Sequence, residues 1–345
     1  MFFTTYLLIR LIHWLNYIFR QLSDLIIGTV LEPKFDLALV TGGCSGLGKE
    51  FVLQLVNKNV KVVVLDIVIP LEEDRMSGVA YFKCDVSKRE SVLEVQKEVE
   101  LSTGTVTILI NNAAIATGKP LLDLSFQEIE RTIQTNLMSS FYTIKAYLPS
   151  MISIERGYIV TIASVLGYMS PARLSAYGAS KSGLIALHES LTYELGSPTF
   201  ISNGIKTLLV CPGQISTTMF KGVRTPTQIF APELDPKFVA SYVVSAIEQG
   251  RRGEIKLPFY GKFLPLFRAF PWPIVALARK LSGIDESMAN FKAKVSRVAS
   301  SVSSIIGRSR NGTNNNSPTL LRGSLTASPQ ASISLEIGEE NAIEK

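Results

Sequence analysis

The chain has 345 residues, 46% hydrophobic and 19% charged, with a mean hydropathy of +0.25; so much apolar material excludes disorder as its main description. A net charge of +6 and a pI near 9.1 suit an anionic partner, but no RNP-like motif, zinc finger or long basic block is present, so a membrane surface fits better than nucleic acid. Cys44, Cys84 and Cys211 have neither zinc spacing nor the density of a disulfide framework, and His13 and His188 have no ligand-like neighbours; reduced thiols and no metal site are expected.

Residues 1–31 are expected to form a hydrophobic membrane anchor. The apolar run 2–19 would be about 27 Å long as a helix, against a hydrocarbon thickness of roughly 30 Å. Arg10 and His13 fall in its middle, so the anchor either lies in the interface or spans with Arg10 snorkelling. It lacks the clean apolar run and small-residue cleavage site of a secretory signal.

Residues 34–257 alternate short β-branched runs with helical stretches, the pattern of a parallel sheet covered on both faces. The predicted strands are 37–40, 60–66, 79–84, 106–110, 157–164, 205–211 and 254–257. Between them the predicted helices are 47–57, 88–101, 126–151, 173–195 and 236–249. Ser125 followed by Glu128 makes a capping box at one helix start. The fold class expected is α/β, a single Rossmann-type, doubly wound domain.

Residues 258–306 form a hydrophobic and basic extension. Its first part carries Pro258, Pro265, Pro271 and Pro273 among many aromatics, which forbids one straight spanning helix. It reads as a kinked interfacial or re-entrant element, or as a hydrophobic lid over a pocket. A basic amphipathic stretch follows over 286–306. Residues 307–345, rich in Ser, Asn and Gly, are expected to be a disordered tail; Asn311-Gly312-Thr313 is a glycosylation acceptor only if that tail is lumenal, and Ser317 and Ser328 each precede proline.

Three groups of residues point to chemistry. Thr41-Gly42-Gly43-Cys44-Ser45-Gly46-Leu47-Gly48 lies between the first predicted strand and helix, where a dinucleotide fold needs a tight turn, a bare backbone near the pyrophosphate and a helix N-terminus facing it. Asp66 ends the second strand, the place for a carboxylate that accepts hydrogen bonds from an adenosine ribose. It would repel a 2′-phosphate, and no basic residue stands at Cys44 or Ile67, so NAD is favoured over NADP. Tyr177 and Lys181, four apart on a predicted helix, share a face, where an ammonium would favour the phenolate and make a proton donor and acceptor for near-neutral pH. Ser164, at a strand end, is placed to hold a substrate oxygen.

Together these motifs resemble the short-chain dehydrogenase/reductase family. TGGCSGLG matches its TGxxxGxG turn, Asn111-Asn112-Ala113-Ala114 resembles its NNAG with Ala114 in place of the usual glycine, and Tyr177-Gly178-Ala179-Ser180-Lys181 is its YxxxK. Cys84-Asp85-Val86 resembles its adenine-contacting segment, and Pro212-Gly213-Gln214-Ile215-Ser216-Thr217 its PGxxxT. The resemblance implies Tyr177 as general acid/base, Lys181 as its ribose-binding partner, Ser164 orienting the substrate oxygen and Asn136 holding a relay water. It implies cofactor contacts from Thr41, Gly42, Ser45, Gly46, Leu47, Gly48, Asp66, Asp85, Val86, Asn112, Ala113, Tyr177, Lys181, Pro212, Gly213, Ile215 and Thr217.

The implied reaction is hydride transfer between NAD, or NADP, and an alcohol or carbonyl, by a homodimer paired through the helices carrying Asn136 and Tyr177. With its hydrophobic N-terminus the chain is similar to the membrane-associated retinol dehydrogenase and 17-beta-hydroxysteroid dehydrogenase group. That implies a retinoid, steroid or long-chain lipid substrate, at the endoplasmic reticulum or lipid droplets, with the catalytic domain facing the cytosol. Val165 and residues 217–232 would line the substrate side, and Leu166, Tyr168, Met169, Phe220, Ile229 and Phe230 would supply an apolar wall. Two rivals are an NAD(H)-binding membrane or lipid-droplet scaffold with little turnover, against which the complete tetrad argues, and a lipid-biosynthetic 3-ketoreductase, against which Asp66 argues.

Overall fold

A computed structural model describes residues 31–195, 204–220, 222–223 and 231–287. The expected anchor over 2–19, the stretch beyond 287, the tail with Asn311, Ser317 and Ser328, and the wall residues Ile229 and Phe230 lie outside the described residues.

Seven strands form one sheet: β1 (Leu37–Thr41), β2 (Lys61–Asp66), β3 (Val79–Lys83), β4 (Ile108–Asn111), β5 (Gly157–Ile162), β6 (Ile205–Pro212) and β7 (Gly253–Leu257). Their order is β3-β2-β1-β4-β5-β6-β7, and every neighbouring pair is parallel. The order reverses between β1 and β4, so the loops leaving these two strands diverge and open a crevice at their carboxyl ends. The helices are α1 (Gly46–Val56), α2 (Arg89–Ser102), α3 (Phe126–Ile133), α4 (Ser139–Ser153), α5 (Ser175–Glu194) and α6 (Pro236–Glu248).

Alternation along the strands feeds two cores. Ala38 and Val40 of β1 and Val62 and Val64 of β2 pack with Phe51, Val52, Val239 and Val243 under α1 and α6. Leu37, Leu39, Val63 and Leu65 face the other way, toward Val92, Val99, Tyr147 and Met151 under α2 and α4. Burial on both faces is why these strands are continuous apolar runs.

The structure departs from the expected elements mainly over 126–151. The capping box forms as expected, with the Glu128 N–H donating to Ser125 Oγ at 3.2 Å and the Ser125 N–H to Glu128 Oε2 at 3.0 Å. The single predicted helix is instead split into α3 and α4 by a π-helical turn, Gln134–Met138. Such a turn adds a residue to the winding and leaves no mark in hydrophobic periodicity.

After β7 the extension folds as 3-10 turns, Phe259–Lys262 and Leu264–Ala269, then α7 (Trp272–Ser282) and α8 (Ile284–Ser287). Pro265 and Pro273 sit at helix starts, where a missing N–H costs nothing, and Gly283, with φ +62°, ends α7. Among the described residues no helix is long and apolar enough to cross a membrane.

Candidate active site

The turn after β1 is held by side chains as well as by glycines. Thr41 Oγ1 accepts from the Asn112 and Ala113 N–H groups at 2.9 and 3.0 Å, while Asn112 Nδ2 donates to the Thr41 carbonyl at 2.9 Å and the Gly42 carbonyl at 3.3 Å. Thr41 and Asn112 therefore clip the β1 and β4 loops together across the switch point. A Cβ at Gly48 would lie 2.1 Å from the Gly42 oxygen, so no other residue lets α1 start this close to β1. Gly42 and Gly46 have φ of +66° and +53°, and a Cβ on them would stand 3.1 Å from Ala113 Cα and 3.5 Å from Thr217 Cγ2.

This cradle fits a dinucleotide. Ser45 at the N-cap of α1 makes no side-chain capping bond, and the first turn holds no acidic residue, so the free N–H groups and the positive end of the helix remain for an anion. Ser45 and Gly46 are exposed, whereas Leu47 is buried and can offer only main-chain groups. Asp66 accepts from the Cys44 N–H at 3.0 Å through one carboxylate oxygen and from the Val68 N–H at 3.2 Å through the other, which pins the strand-end acid beside the turn. Asp85 holds Ser87 through its N–H at 3.1 Å and its hydroxyl at 2.6 Å. The side chains of Val86 and Ile215 are buried in opposite cores, leaving their main chain to face a ligand.

Ser164, Tyr177 and Lys181 come together, all buried, where β5, β6 and α5 meet. Ser164 Oγ accepts from the Leu166 N–H at 3.1 Å and donates to the Pro212 carbonyl at 3.3 Å. Lys181 Nζ donates to the Ile162 carbonyl at 2.8 Å and lies 5.7 Å from the centroid of the Tyr177 ring. Gly213 donates to the Leu257 carbonyl at 2.6 Å, fixing the start of the PGxxxT loop against β7.

Burial dominates the protonation of this pair. It pushes Tyr177 up to about 12, against a smaller pull downward from the Ser164 hydroxyl, and it lowers Lys181 to about 8. The expected balance, with the ammonium favouring the phenolate, is therefore reversed in the chain alone: the phenol is the stable form, and Lys181 gives up its proton more readily than a solvated lysine. Burial also pushes the Cys44 thiol up to about 12, helped by Asp66, and raises Cys84 and Cys211. All three are free thiols, and none has the depressed pKa of a reactive one.

Asn136 lies in the π turn. Its Oδ1 accepts from the Ile115 N–H at 2.7 Å, and its Nδ2 donates to the Ile115 carbonyl at 2.9 Å and to Ser180 Oγ at 3.1 Å. Both amide protons are thus committed to bracing the loop after β4 against α5, a role that sequence reasoning missed. Ser180, which also donates to the Tyr177 carbonyl at 2.7 Å, was missed too, although it lies inside the YGASK motif.

The expected apolar wall falls in two clusters that share Leu166. Leu166 and Phe220 pack with Leu174, Tyr177, Val223 and Ala116, with the Phe220 ring edge-on to Tyr177 at 5.6 Å. Tyr168 and Met169 instead join Cys211, Leu264 and Phe267 under the extension, and the Tyr168 hydroxyl donates to Glu254. Leu174, at the N-cap of α5 and buried against Tyr177, is a wall residue that sequence reasoning missed.

A profile of the short chain dehydrogenase family matches residues 36–228, more than half of the chain. An uncharacterized oxidoreductase of Saccharomyces cerevisiae is 37% identical over 252 residues, 72% of this chain and 82% of the relative. Retinol dehydrogenase 10 of Homo sapiens is 35% identical over 245 residues, 61% of this chain and 71% of that protein. A solved short-chain dehydrogenase from Streptomyces avermitilis superposes with a TM-score of 0.60 at 23% identity, over 73% of this chain and 97% of that one, a likeness of fold.

Proposed function

The chain belongs to the short-chain dehydrogenase family, and on that premise we propose that it oxidises or reduces a hydrophobic alcohol or ketone, a retinoid, steroid or long-chain lipid, at a membrane. The observation that carries this reading is the buried Ser164, Tyr177 and Lys181 group opening on the wall of Leu166, Phe220 and Val223. An apolar wall beside a proton-transfer group selects an apolar substrate without directional contacts.

A nicotinamide dinucleotide bound at the glycine turn would supply the hydride chemistry. Ser45, Gly46 and the main chain of Leu47 and Gly48 would hold its phosphates, Asp66 its adenosine ribose, and Asp85 with the Val86 main chain its adenine. Ala113, Gly213, Ile215 and Thr217 would border the nicotinamide half. Asp66 has no cationic neighbour at Cys44 or Ile67, which supports NAD over NADP.

Tyr177 exchanges a proton with the substrate oxygen, which Ser164 holds through its hydroxyl. Because burial keeps the phenol neutral, the chain alone is poised to donate a proton to a carbonyl. Proton abstraction from an alcohol requires a cationic Lys181, and a ribose or water completing its coordination would stabilise that charge. A relay water would have to use a group of Asn136 other than its amide protons.

We assign the membrane association to residues 2–19, and the free thiols support a reducing, cytosolic side for the domain; the endoplasmic reticulum or a lipid droplet fits both. The protein, purified in detergent, should oxidise or reduce members of a panel of retinols, sterols and long-chain alcohols or their carbonyls, followed by nicotinamide absorbance. Tyr177→Phe should lower turnover by about 10²–10⁴-fold while NADH binding, read by its fluorescence, is kept. Full turnover by that variant would remove Tyr177 from its role, and dinucleotide binding with no turnover across the panel would replace the enzyme by a scaffold.

A further inference from the structure

Two charged side chains stand on β7 where the neighbouring strand is apolar. In the register of β6 and β7, Glu254 lies beside Leu209 and Lys256 beside Cys211, and Leu209 and Cys211 are buried with Ala163, Val165 and Leu184. The Glu254 carboxylate pairs with Lys256 and accepts from the Tyr168 hydroxyl, and Lys256 Nζ lies 5.2 Å from the centroid of the Tyr168 ring. The Lys256 side chain is 16% exposed and that of Glu254 27%. Taking an ion pair this far out of water costs desolvation energy that apolar residues in the same places would avoid, so packing alone does not account for it.

What the pair reaches is the turn that carries Ser164. Tyr168 follows the 3-10 turn Val165–Gly167, which Ser164 caps by accepting from the Leu166 N–H. One side of this turn rests on α5: a Cβ at Gly167 would stand 2.9 Å from the Lys181 carbonyl oxygen, and Ser182 Oγ donates to the Gly167 carbonyl. A second side is clasped by the extension after β7. Arg268 donates to the Gly167 carbonyl at 2.8 Å and the Tyr168 carbonyl at 3.0 Å. Arg279 donates to the Ser170 carbonyl at 3.0 Å, and Asp285, paired with Arg279, accepts from the Ala172 N–H at 2.8 Å. These bonds grip the main chain of the segment that joins Ser164 to Tyr177. The Tyr168 hydroxyl adds a side chain of that segment, tied to β7 across 86 residues of sequence.

We propose that Tyr168 and Glu254 are positioning residues for Ser164: the hydroxyl held on the carboxylate, with Lys256 balancing its charge, sets the turn Val165–Gly167 and thereby the place where Ser164 Oγ meets the substrate oxygen. The inference rests on the role given to Ser164 above. A hydrogen bond to a carboxylate is about twice as strong as one between neutral groups. Burial, helped by Glu254, pushes the Tyr168 hydroxyl up, so it stays a donor. Tyr168 packs with Cys211, Leu264 and Phe267 and not in the cluster of Tyr177, so it acts on the reaction through Ser164. Misplacing a group that holds the reacting atoms slows the chemical step more than it weakens binding.

Tyr168→Phe removes one oxygen and Glu254→Gln one charge, so each variant tests the bond without emptying the core. Full-length protein in detergent, loaded with NADH, would be followed in two ways. Hydrogen exchange read by mass spectrometry should quicken about threefold or more in the peptide carrying the Leu166 N–H, with peptides from β1 and α1 unchanged. Glu254→Gln, which keeps an acceptor for Tyr168 but loses the charge, should fall between the parent protein and Tyr168→Phe. Single-turnover reduction of retinal and of decanal, with enzyme in excess so that slow variants are still measured, should slow about tenfold per NADH-binding site in Tyr168→Phe, with half-saturation by the aldehyde kept within about twofold. In a Ser164→Ala background the same substitution should change the rate by less than about twofold, because no hydroxyl is left to place. Unchanged exchange in the Leu166 peptide overturns the proposal. So does a tenfold loss that persists in the Ser164→Ala background, which would make Tyr168 act elsewhere, or a rise in half-saturation with the rate kept, which would make it a substrate contact. A parent protein that turns over neither aldehyde counts against the proposed function, while exchange in the Leu166 peptide still decides whether Tyr168 and Glu254 hold the turn.

Discussion

Tyr177 and Lys181 meet because α5 turns 3.6 residues at a time, but their acidity comes from what covers them. Lys181 titrates near 8 in the folded chain, against an ordinary value of 10.5. Between those two values the unfolded chain binds the additional proton, so stability rises with pH across the window. Tyr177 has the opposite sign: its pKa rises from 10.0 to about 12, so the folded chain keeps a proton that the unfolded one loses, and stability falls as pH climbs above 10. The cofactor-free protein should therefore gain melting temperature from pH 8 to pH 10 relative to Lys181→Met, as scanning calorimetry would show; parallel curves for the two proteins would contradict the burial argument. Asp66 works by charge and position. Asp66→Ala removes the repulsion toward a 2′-phosphate along with a ribose acceptor, so the ratio of NAD to NADP efficiency should fall; an unchanged ratio in steady-state kinetics would sink the proposed cofactor preference.

Among the elements, the π turn between α3 and α4 links the site's parts. It aims Asn136 at Ile115, whose N–H and carbonyl are both satisfied by that one amide. Asn136→Ala would leave these groups and Ser180 short of a partner, and each unsatisfied buried group costs about 1–3 kcal/mol. A loss of about 2–4 kcal/mol is expected in urea unfolding, allowing for partial relaxation around the small alanine; a loss below the error of the fit would mean the turn is held by its backbone alone. Thr41 and Asn112, expected from the sequence as cofactor contacts, also clip two loops together, because their polar atoms bond each other's backbone.

In the whole molecule, the parallel sheet with its order reversal puts the glycine turn, Asp66 and Asp85 on one side of the crevice and Ser164 with Tyr177 on the other. The long helices α4 and α5 remain available for a twofold partner, and Phe141 of α4 and Tyr193 of α5 are exposed. Paired through such faces, the protein should scatter light as a dimer in detergent after correction for bound micelle, and Phe141→Glu should shift it toward the protomer mass; a monomeric parent protein would end the proposed pairing.

The strands, the capping box at Ser125 and the placement of the glycine turn were legible because each depends on neighbours within a few positions: alternation, a three-residue reach and the steric freedom of glycine. The tetrad was legible as a spacing, and its environment was not. Burial raises Tyr177 and lowers Lys181, because desolvation depends on residues from β5, β6 and α5 that are far apart in the chain. The apolar wall was only partly legible for a similar reason: Leu166 and Tyr168 both join the cluster of Leu264, yet Leu166 alone of the two also packs in the cluster of Tyr177. The clasp of Arg268 and Arg279 on the Gly167 to Ala172 segment closes over about a hundred residues. No local pattern encodes such contacts, which exist only once the sheet has brought the two ends of the site together.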